Sequence, residues 1–400
     1  MRPSDTPDLL EPDRTQIPIQ PSEYQTDVNP LLFPTKIRET DRLQSPLRRR
    51  ILTKRSNDAS HYAACRKSAQ RFLLGQHCFL LPDFYYTRIY RVSRSGEKSF
   101  IEWICHSLPP QPHSIDHGPG DDTAIFHPNA ELPSLITTDL LMEGVHFHLD
   151  QTHARRVGYK AMAVNLSDIA AMGGTPSLCV VSIALPCTNG RALGEELMGG
   201  LMDLAREFEV GIAGGDTNSW NGPLVVNITL LGQASRKGPL LRSTAKPGDL
   251  LLVTGKLGGS LSGRHLDFKP RVRESRLLHD HYNLHAMIDV SDGLSTDLWH
   301  LLNASSCGAC LKQDCIPIHD SVYEIQDART PLEHALYDGE DFELLFTADP
   351  AEADRILQDQ PLDIPITLIG QMTSEKEAQL MAPDGQTHSL KPQGWEHRLQ

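Results

Sequence analysis

From about Glu97 onward, short apolar runs alternate along the chain with apolar residues set at helical spacing. Residues 134–140 have the length and composition of a strand. Residues 152–172 carry apolar side chains at helical spacing until Gly173-Gly174 stop them. Residues 179–185 are β-branched enough for a second strand, and residues 190–208 read as a helix. Residues 224–232 and 250–254 read as further strands. Helices follow strands throughout, which predicts an α/β or α+β architecture rather than a β-sandwich. The best internal boundary is 235–249, where Lys237-Gly238 and Lys246-Pro247-Gly248 interrupt the pattern.

Residues 1–95 lack this regularity. Pro, Arg, Gln, Ser and Asp are abundant there, apolar periodicity is weak, and Arg48-Arg49-Arg50 forms a basic cluster. The segment is expected to be disordered or loosely structured; a nucleic-acid- or partner-binding arm and a misassigned translation start are the other readings. A chain of 400 residues exceeds the usual single-domain size, so the expectation is two domains plus this appendage.

Charge sharpens the division. Residues 1–95 hold 16 of the 38 basic and 10 of the 51 acidic residues, so 22 basic and 41 acidic remain for the rest, a net of −19. Such a body is a poor nucleic-acid binder, because phosphate backbones need a positive surface. If it handles anionic substrates it must screen itself with cations; acidity for solubility alone is the plainer alternative. No apolar run approaches the roughly 18 residues a membrane helix requires. The polar, proline-rich N-terminus has no secretory h-region, so the expected compartment is the cytoplasm, with reduced thiols. Cys307, Cys310 and Cys315 have a C-x₂-C-x₄-C spacing but no matching fourth ligand, so they read as ordinary thiols.

The chemistry lies in aspartates that recur after strand-like stretches or in glycine-flanked turns. Gly120-Asp121-Asp122 precedes Thr123, Thr137-Thr138-Asp139 ends an apolar run, and Gly214-Gly215-Asp216-Thr217 follows another. Asp289-Val290-Ser291-Asp292-Gly293 repeats the pattern in the second half. Asp168 falls inside an apolar helix, where a carboxylate is costly without a partner. So many carboxylates repel one another unless cations sit between them. Mg²⁺ favours hard oxygen ligands shared with phosphate oxygens, which suits phosphoryl transfer. Residues 258–263 have phosphate-loop glycine spacing, but Arg264-His265 replaces the required Lys-Ser/Thr. They read as a strand-to-helix turn that could hold phosphate through backbone N–H groups.

Eight motifs stand in one order: GPGDDTAIF (118–126), TTDLLMEGVHF (137–147), KAMAVNLSDIAAMGG (160–174), GGDT (214–217), RSTAKPGD (242–249), DVSDGL (289–294), GEDFEL (339–344) and GWEH (394–397). In these the chain from about residue 96 resembles the thiamine-monophosphate kinase family. That family belongs to the superfamily of aminoimidazole-ribonucleotide synthetase and selenophosphate synthetase. The resemblance implies an α+β fold of two α/β domains, residues 96–240 for metal, nucleotide and dimerisation and 241–400 for the second domain. It implies ATP-dependent phosphorylation of thiamine monophosphate to thiamine diphosphate, with several Mg²⁺ ions, in a homodimer.

By position, Asp122, Thr137, Thr138, Asp139, Asp168, Asp216, Asp289 and Asp292 would be Mg²⁺ ligands, with Asp168, Asp216 and Asp289 central to catalysis. Gly215, Asp216, Arg242 and Ser291 would contact ATP, and His146, Glu340 and Trp395 thiamine phosphate. Asp121 and Asp341 would be supports. Asn218-Ser219-Trp220-Asn221 departs from the family's basic sequence after GGDT, and residues 1–95 have no family counterpart. The rival readings are a purine-pathway cyclo-ligase, against which EGVHF and GWEH argue, and a non-catalytic Mg²⁺-nucleotide or thiamine-phosphate binder.

Overall fold

The computed structural model describes residues 97–119 and 124–395, which fall within one compact unit, residues 87–400. Helix α1 (Glu97–Ser107) and the short paired strands β1 (Ile115–His117) and β2 (Ile125–Phe126) come first. The expectations for residues 1–95, and for Asp121 and Asp122, lie outside the described residues.

A four-stranded sheet follows, built from β3 (Ser134–Met142), β4 (Thr175–Pro186), β5 (Gly211–Trp220) and β6 (Val225–Gln233) in the order β3-β6-β4-β5. Its pairs are antiparallel except β4 with β5. Parallel neighbours need a crossover, here supplied by helix α3 (Gly190–Glu207). Strand β4 begins four residues before its predicted start, because Thr175 and Pro176 find partners in Gln233 and Gly232. The sequence GGDT, read as a turn, instead lies inside β5. A bulge skips Ala213 between Ile212 and Gly214, and Gly215 then passes so near β4 that a Cβ would stand 2.0 Å from the Val181 carbonyl oxygen.

The second sheet has seven strands in the order β13-β12-β9-β11-β7-β10-β8. These are β7 (Leu250–Thr254), β8 (Leu284–Asp289), β9 (Gly308–Lys312), β10 (Leu344–Ala348), β11 (Ile366–Thr373), β12 (Ala378–Met381) and β13 (Thr387–Ser389). Helices α4 (Val272–His281), α5 (Leu294–Ser305), α6 (Pro331–Tyr337) and α7 (Pro350–Asp359) connect them. Two largely antiparallel sheets with helices make the fold α+β.

Helix α2 (Ala154–Ala171) is the link between the sheets. It packs on β3 and β6 of the first and on β8 of the second, inside one apolar cluster that includes Val157, Leu166, Ile228, Met287 and Phe346. Its flank toward α3 requires glycine. A Cβ on Gly158 would lie 1.9 Å from the Leu197 carbonyl oxygen, and one on Gly200 would lie 1.8 Å from that of Arg155. This contact fixes where α2 presents its polar side chains.

Candidate active site

Three carboxylates converge from three elements: Asp139 on β3, Asp168 near the end of α2, and Asp289 closing β8. Thr137, on the same face of β3 as Asp139, donates its hydroxyl hydrogen to Asp168 Oδ2. Ser167 Oγ donates to Asp289 Oδ2 at 2.6 Å. Burial, then repulsion from Asp168 and Asp289, holds Asp139 up at about 7 from the ordinary 3.8. Burial followed by repulsion from Asp168 brings Asp289 to about 7 as well, against the pull of Ser167 and Arg242. Burial also raises Asp168, opposed by the Thr137 hydrogen bond and by Arg242.

Asp168 penalises ionisation of both Asp139 and Asp289, and Asp289 that of Asp139, so the cluster suits a cation that removes the penalty. The donors are hard oxygens, as Mg²⁺ requires, and among the described residues no thiol joins them. Asp292 lines the same cleft, and its backbone N–H donates to Asp297 at the start of α5. Asp297 is held well above the ordinary carboxylate range by burial, then by Asp289 and Asp292.

The cleft above these groups has a volume of about 840 Å³. Its walls include Asp139, Asp168, Asp289, Ser291 and Asp292 together with His146, Glu340 and Trp395. Asp139, Asp168, Asp289 and Asp292 of the proposed metal ligands and all three proposed acceptor contacts therefore open on one space. The backbone N–H of Met142 donates to His146 Nδ1 at 3.0 Å, so the neutral ring carries its hydrogen on Nε2. Glu340 sits in the left-handed region at φ 53°, its N–H donating to the Ser291 carbonyl at 2.7 Å. Trp395 is half-exposed, and its N–H donates to the Asp292 carbonyl at 2.9 Å, which ties the C-terminal segment to the rim.

Thr138 also lines this cleft, while its hydroxyl lies 3.0 Å from that of Thr229. Asp216 pairs with Ser182, which pairs with Asn227, which pairs with Leu140. It therefore stands three strands from β3, roughly 14 Å away, on the face opposite Asp139. Asn218 Nδ2 donates to its carboxylate at 3.0 Å. Arg242, on a 3₁₀ turn, lines a neighbouring pocket with Thr137 and Asp168.

In the loop at 258–263, two of the backbone amides have carboxylate partners. Gly258 N–H donates to Asp341 and Gly259 N–H to Asp338, so the two amides are already spent on carboxylates. The loop leads into 3₁₀ turns rather than an α-helix. Asp341, also bound by Arg264, is a support as expected. The described cysteines are all free thiols.

Sequence reasoning missed Ser167, Asp297 and Lys160. Ser167 and Lys160 belong to a quoted motif, and a lysine fully enclosed in an apolar helix was a signal open to use.

The model of the family AIR synthase related protein, N-terminal domain, matches residues 120–234, ending where the first sheet ends. The thiamine-monophosphate kinase of Rhodopirellula baltica is 39% identical over 310 residues, 75% of this chain and 97% of that protein. The structure of thiamine-monophosphate kinase from Stenotrophomonas maltophilia K279a matches with a TM-score of 0.62 at 32% identity, over 72% of this chain and 95% of that one. AaThiL complexed with AMPPCP and TMP matches with a TM-score of 0.60 at 28% identity, over 78% and 100%.

Proposed function

This chain belongs to the thiamine-monophosphate kinase family, and from that premise we infer that its cleft serves ATP-dependent phosphorylation of thiamine monophosphate to thiamine diphosphate. An oxygen of the acceptor phosphate attacks the γ-phosphorus of ATP, the bond to the β–γ bridging oxygen breaks, and ADP leaves. The acceptor is already anionic near neutral pH, so no side chain has to remove a proton.

Catalysis then rests on positioning and charge compensation. Asp139, Asp168, Asp289 and Asp292 would hold Mg²⁺, with Asp122, Thr137, Thr138 and Asp216 completing the set by motif position. When bound, the metal offsets charge on the transferring phosphoryl group. Arg242 brings a permanent guanidinium toward the same carboxylates and suits polyphosphate, with Gly215 and Ser291 as further ATP contacts. His146 and Glu340 would bind thiamine phosphate, and Trp395 offers a ring for stacking on thiamine.

The supporting observation is the cleft itself. The buried carboxylates line it together with His146, Glu340 and Trp395. The position of Asp216 favours a homodimer. Ile136 and Leu140 lie exposed on the open face of the first sheet, which Asp216 shares. A second copy laid on that face and its β3 edge would cover them. Residues 96–240 and 241–400 are the proposed domains, each holding one of the two sheets. Among the described residues no helix is long and apolar enough to cross a membrane, and the proposed setting is cytoplasmic.

The test is to incubate the protein with ATP, Mg²⁺ and thiamine monophosphate and to separate the products. ADP and thiamine diphosphate should appear together. Their absence, with aminoimidazole ribonucleotide formed from its amidine precursor instead, would transfer the chain to the cyclo-ligase branch.

A further inference from the structure

Lys160 lies two turns before Asp168 on α2 and has no exposed surface. Its ammonium donates to Glu340 Oε1 at 2.6 Å and to the His146 carbonyl at 2.9 Å. Burial pulls the ammonium below its ordinary value, and Glu340 draws it back. A buried charge is expensive, and an apolar residue of equal length would fill the same space without that cost. Most other enclosed positions on this helix, among them Val157, Ala161, Met162 and Leu166, are indeed apolar.

The two groups that Lys160 holds come from segments far apart in sequence: His146 from the loop after β3, and Glu340 from the loop before β10. Both face the cleft, and both also line a second pocket of about 480 Å³ beside it. Glu340 is constrained twice, since its backbone is fixed by Ser291 and its carboxylate by Lys160. The pairing also settles the charge. An uncompensated Glu340 would repel an incoming phosphate, whereas Glu340 paired with Lys160 presents oxygen acceptors with little net charge.

We propose that Lys160 is the positioning residue of the acceptor pocket, fixing the Glu340 carboxylate and the His146 main chain as a preformed, charge-compensated wall for thiamine monophosphate. This rests on the kinase reading above. The consequence is selective: the acceptor should suffer from loss of the ammonium while ATP does not.

The experiment measures KM for each substrate, kcat and the ligand-free melting temperature for the wild type, Lys160→Met, Lys160→Arg and the double variant Lys160→Met/Glu340→Gln. For Lys160→Met, KM for thiamine monophosphate should rise about tenfold or more, with KM for ATP within about twofold. Removing the stranded charge in the double variant should recover part of that loss. A KM for thiamine monophosphate within twofold of wild type would overturn the proposal, as would equal rises for both substrates. If Lys160→Met does not fold, Lys160→Arg carries the test: its bulkier head should displace Glu340 and raise the acceptor KM alone, and an unchanged or parallel rise would overturn the proposal. A wild type that makes no thiamine diphosphate would instead defeat the kinase reading.

Discussion

Ser167 donates a hydrogen bond to Asp289 across 2.6 Å, joining the buried helix α2 to the end of β8. Both groups are enclosed, so Ser167→Ala would leave a buried carboxylate oxygen without a partner. That loss costs roughly 1–3 kcal/mol. Denaturant unfolding should show a destabilisation of this size together with a fall in kcat; unchanged values for both would show that the contact is incidental.

The raised carboxyls predict an unusual pH dependence. In the folded, metal-free protein Asp139 and Asp289 keep their protons up to about pH 7, against an ordinary value of 3.8. Between those limits the folded state binds more protons than the unfolded chain, so stability falls as pH rises from about 4 through 7. Thermal melts in chelator should show this decline, and Mg²⁺ should reduce or reverse it. Asp168→Asn should raise the metal-free melting temperature while lowering turnover by roughly 10²-fold or more. A melting temperature that climbs with pH in chelator would contradict the cluster's electrostatics.

How far the sequence announced this arrangement differs from residue to residue. Asp139 and Asp168 were legible because a strand end and a helix of fixed period place them on definite faces. Thr138, between Thr137 and Asp139, turns its hydroxyl toward Thr229 because strand side chains alternate. GGDT read as a turn because glycines usually mark turns, yet Gly215 serves a close strand-to-strand approach instead. The loop at 258–263 had phosphate-binding spacing, but the amides of Gly258 and Gly259 are claimed by Asp341 and Asp338, about 80 residues away. Lys160 was visible only as a residue type, since its partners at 146 and 340 are brought to it by tertiary packing.

Asp216 gives a test of assembly. With two strands between its own strand β5 and β3, it should act at the site of a second copy. Asp216→Asn and Asp168→Asn should each be inactive alone. When the two are dissociated and reassembled together, half the dimers are mixed and each has one intact site, so about a quarter of wild-type activity should return. If mixing never restores activity, Asp216 does not act across a dimer.

The most direct measurement of the kinase reading follows the γ-phosphate of ATP. With γ-³²P-labelled ATP, Mg²⁺ and thiamine monophosphate, the label should appear in thiamine diphosphate, one equivalent for each ADP formed. Label released as inorganic phosphate, with none in thiamine diphosphate, would contradict direct transfer.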